Sequence, residues 1–204
     1  MKVEELTRRF VWLLVVAAVV RLGCVVFVPL ELIPDEAYYW DWSRRLDWCY
    51  YSKPPMVAWL IGATTRMLGS YEWSVRLPAA VLNIVTLSVV GALGKRMYGG
   101  RVAWLGALAF LAVPGASVSG LLMTIDAPLL SFWAFGLLSV WEALNTRGAR
   151  SVVWWWAAGM AGAGGVLSKQ MMLVFPALTV LYCLVSGEKR RGPRGVGIFV
   201  FLGG

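Results

Sequence analysis

Long stretches of this chain carry almost no charge, and that feature excludes most folds. Phe10–Leu30 is apolar apart from Arg21, and Leu77–Leu93, Val102–Leu122, Ala127–Leu144, Val152–Leu167 and Met171–Val185 follow in the same manner. A membrane span needs about 20 apolar residues to cross a hydrocarbon core of about 30 Å. Soluble domains are about 45–50% apolar, whereas this 204-residue chain is 59% hydrophobic with a mean hydropathy of +0.69. The expected fold is all-α, a polytopic transmembrane helical bundle of six spans, with Pro114 kinking the third. A seventh apolar run opens at Gly195 and stops at Gly204. Residues 1–204 are therefore expected to be the N-terminal part of one longer membrane domain.

The net charge of +8 is distributed as membrane topology requires, not as a nucleic-acid surface. The segment Val57–Leu68 decides the arrangement. Its 12 residues reach only about 18 Å as a helix, and Thr64, Thr65 and Arg66 suit a helix lying in the interface. With that segment interfacial and the N-terminus cytoplasmic, twelve of the nineteen basic residues fall on the cytoplasmic side. These are Lys2, Arg8, Arg9, Lys95, Arg96, Arg101, Arg147, Arg150, Lys189, Arg190, Arg191 and Arg194. If Val57–Leu68 crossed, the nine from Lys95 onward would lie outside, against the positive-inside rule. Asp35, Glu36, Lys53, Asp126 and Lys169 then all fall on the outer face, and the acidic residues among them did not enter that count. The basic N-terminus before a long apolar run, without a clear small-residue cleavage site, reads as an uncleaved first span.

Histidine is absent, which removes the commonest general base and metal ligand. Cys24, Cys49 and Cys183 form no ligand spacing or disulfide framework. The glycine-rich GMAGAGG, residues 159–165, lies inside an apolar run. A phosphate-binding loop should follow a strand, so close helix packing is the expectation, with Ala157, Ala161 and Gly165 at four-residue spacing. Trp154, Trp155 and Trp156 read as an interfacial belt.

Chemistry concentrates in the outer loop, residues 31–73, which is both charged and aromatic. Pro34 suits the first position of a helix, which puts Asp35 and Glu36 in its first turn, where the macrodipole favours negative charge. Neighbours on a helix point about 100° apart, so one carboxylate, Asp35, is assigned as reactive, while Glu36 is expected to contact other protein or lipid-side groups and is also a candidate for substrate binding. Lys53 precedes Pro54-Pro55, which hold it on an extended backbone as a point charge suited to phosphate. Asp126 opens the fourth span with no basic residue close in sequence; it is either a helix cap or a functional intramembrane carboxylate. Arg21 lies about 18 Å above Arg9 along the first span and needs a partner or a phosphate. Arg44 is a second candidate for the phosphate. The loop aromatics suit the headgroup layer or stacking on a sugar ring, and Tyr51 is assigned to the substrate. Lys169 reads as a boundary anchor.

The order of DEAYYW, YYSKPPMVAWL, WSVRLPAAVLN, TIDAPLLSFWA and GGVLSKQMMLVFPAL after a first span resembles the bacterial polytopic glycosyltransferases of the GT-C class. These are the protein O-mannosyltransferase-like families 39 and 83, which include the lipid A aminoarabinose transferases. The resemblance covers nearly the whole chain. It implies a polyprenyl-phosphate sugar donor, a lipid, glycan or protein acceptor, surrounding membrane lipids, and transfer on the outer face of the cytoplasmic membrane. It assigns Asp35 to the reaction centre, Lys53 to the donor phosphate and Asp126 to the same site, with inversion at the anomeric carbon. No cofactor is fixed by it, and a divalent metal is the one candidate. Ser52 stands where aminoarabinose transferases have a glutamate that takes part in metal binding. The rival readings are a transporter or flippase, using Arg21 and Asp126 as a charged path, and an inactive fragment. Transporter sites lie near the bilayer midplane between repeats, whereas here the polar residues crowd one loop and no repeat is evident.

Overall fold

The computed structural model describes residues 3–28 and 30–185, all of whose regular elements are helical. In order these are α1 (Val3–Phe27), α2 (Pro34–Arg44), α3 (Met56–Leu68), α4 (Glu72–Tyr98), α5 (Gly100–Ala112), α6 (Pro114–Val118), α7 (Asp126–Asn145) and α8 (Ala149–Val166). A 3-10 turn at Gln170–Leu173 then leads into α9 (Val174–Val185). Three segments, Glu5–Phe27, Glu72–Tyr98 and Asp126–Asn145, are long and apolar enough to cross a membrane. The apolar run expected from Gly195, and the basic residues from Lys189 to Arg194, lie outside the described residues.

Helix α4 is the central pillar, packed by α1, α3, α5 and α7, while α8 folds back along α7. The turn between α7 and α8 uses Gly148 at φ 65°, a conformation glycine adopts without a Cβ clash. Arg96 near the end of α4 is paired with Glu142 near the end of α7. These two helices therefore run parallel, from the end carrying Glu72 and Asp126 to the end carrying Lys95, Arg96, Arg147 and Arg150. Much of α1 is bare: Val19 is 66% and Trp12 63% exposed, as lipid-facing residues are.

Two expectations change. The third span is not one kinked helix. It stops at Ala112, Val113 is extended, and a separate short helix starts at Pro114. Proline cannot donate to the preceding turn and its ring disfavours helix at the residue before it. At the break the Ser117 hydroxyl donates to the Leu111 carbonyl at 2.6 Å, and the carbonyls at the far end of the short helix are met from other elements, as a membrane interior requires. Arg21 donates to the Ser117 carbonyl at 2.8 Å and Asn83 to the Ala116 carbonyl at 2.6 Å. Gly120 is needed there, since a Cβ would strike the Arg21 guanidinium and Asn83. The tryptophan belt is also divided: Trp155 is buried in the core, whereas Trp156 is exposed.

The glycine-rich part of α8 does pack closely. A Cβ on Gly164 would collide with Phe132 of α7, and one on Gly165 with Met172. The core here joins Leu129, Val140, Ala143, Leu144, Trp155, Ala158, Met172 and Phe175. Helix α3 matches the expected short segment, with Val57, Ala58, Ile61 and Gly62 buried. It has 13 residues, or about 20 Å of helix, too short to span.

Candidate active site

Pro34 starts α2 as expected and puts Asp35 and Glu36 in its first turn. The two carboxylates then diverge. Asp35 is exposed and makes no hydrogen bond or ion pair among the described residues. Glu36 points inward and is 0% exposed. Its Oε2 accepts from Arg76 Nη2 at 2.6 Å and from the Ile33 N–H at 3.2 Å. Its Oε1 accepts from Arg76 Nε at 3.0 Å and from the Met123 N–H at 2.9 Å. Arg76 also donates to the Leu30 and Glu31 carbonyls, at 2.8 Å each. Of the contacts expected for Glu36, those to other protein groups are present and those to substrate are not: its oxygens are taken up inside the protein, where the pair ties α2 to α4, to the segment just after α1 and to the segment leading into α7.

That tie brings two distant parts of the chain together. Tyr39, one turn after Asp35, packs in a cluster with Val57, Ile61, Val75, Ala79, Met123, Ile125 and Ala127. Ile125 and Ala127 flank Asp126. Burial pushes the Tyr39 phenol above its ordinary pKa, and the negative charges of Asp35 and then Asp126 push it further. Both carboxylates thus bear electrostatically on one hydroxyl.

Asp126 is the first residue of α7. Its Oδ1 accepts from Lys169 Nζ at 2.7 Å. Lys169 follows α8, where its N–H bonds the Gly165 carbonyl at 2.8 Å. Beside it the Met56 N–H donates to the Leu167 carbonyl at 3.0 Å. This bond docks the Lys53-Pro54-Pro55 segment on the end of α8. Lys53 is half-buried and has no ion pair or hydrogen bond among the described residues.

Aromatic residues build the rest of the loop. The Trp42 and Tyr50 rings stack at 4.5 Å and 7°. The Tyr50 hydroxyl accepts the Asp47 N–H at 3.0 Å, and Trp59 Nε1 donates to the Asp47 carbonyl at 2.9 Å. Tyr51, assigned to substrate, is 98% exposed. Arg44 is exposed, lies 3.7 Å from Asp41 and stands 5.5 Å over the Trp40 ring. Arg21, the other candidate for a phosphate, is buried against the Ser117 carbonyl and closed over by Gly120 and Asn83. That is the setting of a helix-break partner and not of a ligand contact.

Two cavities lie elsewhere. One, of about 330 Å³, is an apolar groove between α4, α7 and α9 that includes Trp133, Trp141 and Tyr182. The other, of about 350 Å³, lies between the end of α1 and the start of α4 and includes Glu31, Glu72 and Arg76. Asp35, Lys53 and Asp126 line neither. A divalent metal does not fit the described residues: Ser52 offers no carboxylate, and no three of His, Cys, Asp and Glu converge among them.

Sequence reasoning passed over Arg76, Tyr39 and the pairing of Lys169. Arg76 had a signal, a lone arginine at the mouth of an apolar helix. Lys169 had a weaker one, since an antiparallel α7–α8 hairpin returns its end to the start of α7.

Residues 52–202 match the family model described as dolichyl-phosphate-mannose-protein mannosyltransferase. The chain belongs to this family. Over 129 residues it is 37% identical to the lipid A galacturonosyltransferase RgtD of Rhizobium johnstonii, an alignment covering 62% of this chain and 27% of that protein. Its fold superposes on ArnT from Cupriavidus metallidurans bound to undecaprenyl phosphate with a TM-score of 0.79 and 26% identity, over 95% of this chain and 40% of that one. The protein O-mannosyltransferase Pmt1-Pmt2 complex of S. cerevisiae, bound to its sugar donor, shares the fold with a TM-score of 0.75 at 17% identity, over 98% of this chain and 31% of that one. The chain thus spans between about a quarter and two fifths of the length of these relatives.

Proposed function

We propose that this chain carries the reaction centre of a membrane glycosyltransferase. It moves a sugar from a polyprenyl-phosphate-linked donor to a lipid, glycan or protein acceptor. The observation that carries this is the meeting of α2 and α7 at Tyr39, with carboxylates Asp35 and Asp126 on either side and the Lys53 segment docked next to Lys169. Relatives support the chemistry: one is a lipid A galacturonosyltransferase and another binds undecaprenyl phosphate.

In the proposed reaction an acceptor hydroxyl oxygen attacks the anomeric carbon of the donor. The bond from that carbon to the phosphate oxygen breaks, and polyprenyl phosphate leaves with the electron pair. Phosphate is a good leaving group, so the protein's task is positioning and charge stabilisation. Lys53 is the free cation that faces the phosphate. Asp35 is the free carboxylate that orients the acceptor hydroxyl and takes its proton. Asp126, held by Lys169, fixes the sugar between them. Attack from the side opposite the phosphate inverts the anomeric centre.

The site is assigned to the outer face of the cytoplasmic membrane. In support, Lys95, Arg96, Arg147 and Arg150 sit at the opposite ends of α4, α7 and α8, as the positive-inside rule places them. The chain is assigned as the N-terminal part of the membrane domain, with α5 and α6 taken together, α8, and the 3-10 turn taken together with α9 completing six spans. Lipids and glycans from a strain lacking the gene, compared with its parent by mass spectrometry, test the reading. Loss of one sugar from a lipid, glycan or protein is expected, and an unchanged profile would remove the transferase assignment.

A further inference from the structure

Tyr39 and Asp35 are four residues apart on α2, so they share a face of that helix. The Tyr39 residue is 4% exposed, and it packs in one cluster with Val57, Ile61 and Val75 from α3 and α4 and with Met123, Ile125 and Ala127 around the start of α7. Trp42 packs on it at a ring separation of 5.6 Å. Its position is therefore fixed by the fold. Buried tyrosines usually place the hydroxyl on a partner, and even the half-buried Tyr50 does so with the Asp47 N–H. The Tyr39 hydroxyl makes no hydrogen bond among the described residues. A fixed ring with a free hydroxyl, at the seam between the elements bearing Asp35 and Asp126, is built to meet something that binds there.

We propose that the Tyr39 hydroxyl donates a hydrogen bond to a hydroxyl oxygen of the sugar carried by the polyprenyl-phosphate donor. The inference rests on the glycosyltransferase reading above and names a residue that grips the sugar and not the phosphate. Two carboxylates and burial keep the phenol protonated, so it serves as a donor at every working pH and never as a base. Lys53 answers the phosphate charge. Beside two acceptor-only carboxylates, a neutral donor can pair with the sugar's lone pairs without bringing a charge.

The purified full-length protein tests this by its intrinsic tryptophan fluorescence. It is titrated with undecaprenyl phosphate alone and with polyprenyl phosphates carrying galacturonic acid, mannose or aminoarabinose. Tyr39→Phe removes one oxygen and keeps the ring. It is expected to weaken binding of the preferred sugar-loaded donor roughly tenfold, the size of one neutral hydrogen bond, while affinity for undecaprenyl phosphate is unchanged. The loss should be equal at pH 6 and pH 9. Equal weakening of both ligands, or no weakening of either, would overturn the inference. If Tyr39→Phe does not fold, 3-fluorotyrosine at position 39 replaces it. That stronger donor should tighten the sugar-loaded ligand alone, and no change overturns the proposal. A wild-type protein that binds none of these ligands would overturn the glycosyltransferase reading itself, and with it the role of Tyr39.

Discussion

Lys169 donates to Asp126 at 2.7 Å across 43 positions of sequence. The α7–α8 hairpin makes this possible, because it returns the end of α8 to the start of α7. The same end of α8 holds the Met56 N–H, so one contact surface sets the carboxylate, its cation and the approach to Lys53.

The side chains of this pair are 35% exposed for Lys169 and 48% for Asp126. Ion pairs so open to solvent stabilise by about 0–1 kcal/mol. Asp126→Asn is therefore expected to leave thermal unfolding of the purified protein nearly unchanged. Sugar transfer by the same variant should fall about 100-fold or more. A variant that melts early but transfers normally would make Asp126 a structural residue.

Glu36 and Arg76 are expected to behave in the opposite way. Their side chains are 0% and 4% exposed, and removing one partner leaves a buried charge without compensation. Glu36→Ala should lose about 3–5 kcal/mol of stability. The double variant with Arg76→Ala should lose less than the sum of the two single changes, since both act on one interaction. Thermal unfolding of the four proteins measures the coupling, and simple additivity would show that the pair is not a unit.

The helices were legible in the sequence where apolar runs and prolines set them. Pro34 marked the start of α2, and the shortness of the apolar run at Val57–Leu68 marked α3 as a helix that does not span. The break at Val113 was read as a kink, because sequence alone does not show that a separate short helix starts at Pro114, with Arg21 and Asn83 meeting the carbonyls at its end. Arg21 was read as a candidate for phosphate because a charge in an apolar span signals function. Here Glu36 is paired with Arg76, 40 positions away, and Arg21 donates to a carbonyl 96 positions away, and no local pattern encodes either contact. Asp35 and Lys53 came from their neighbours Pro34 and Pro54, which fix the backbone locally.

Lys53 has no partner among the described residues to lose, so Lys53→Ala should be quiet in the absence of ligand. Its expected effect is on donor affinity, by about 1.5–3 kcal/mol for a charge-assisted contact. Titration with undecaprenyl phosphate measures this, and unchanged affinity would reduce Lys53 to an interfacial lysine.

Cys49 is exposed in the loop, while Cys24 and Cys183 are half-buried. A membrane-impermeant maleimide added to intact spheroplasts is expected to label Cys49. In a protein with Cys24, Cys49 and Cys183 replaced, a cysteine at Lys95 should label only after lysis. Labelling at position 95 in intact cells would invert the topology and move the site to the cytoplasmic face.

The central claim is that Asp35 serves transfer from a polyprenyl-phosphate sugar. Its most direct test is the rate at which purified full-length protein moves radiolabelled sugar from that donor into lipid, glycan or protein, compared with Asp35→Asn. Asp35 is exposed and makes no hydrogen bond or ion pair among the described residues, so the variant should fold and bind undecaprenyl phosphate as before. Its transfer rate should drop by about 10²–10⁴-fold, the range for removal of a general base. Transfer by Asp35→Asn at the wild-type rate would contradict the account.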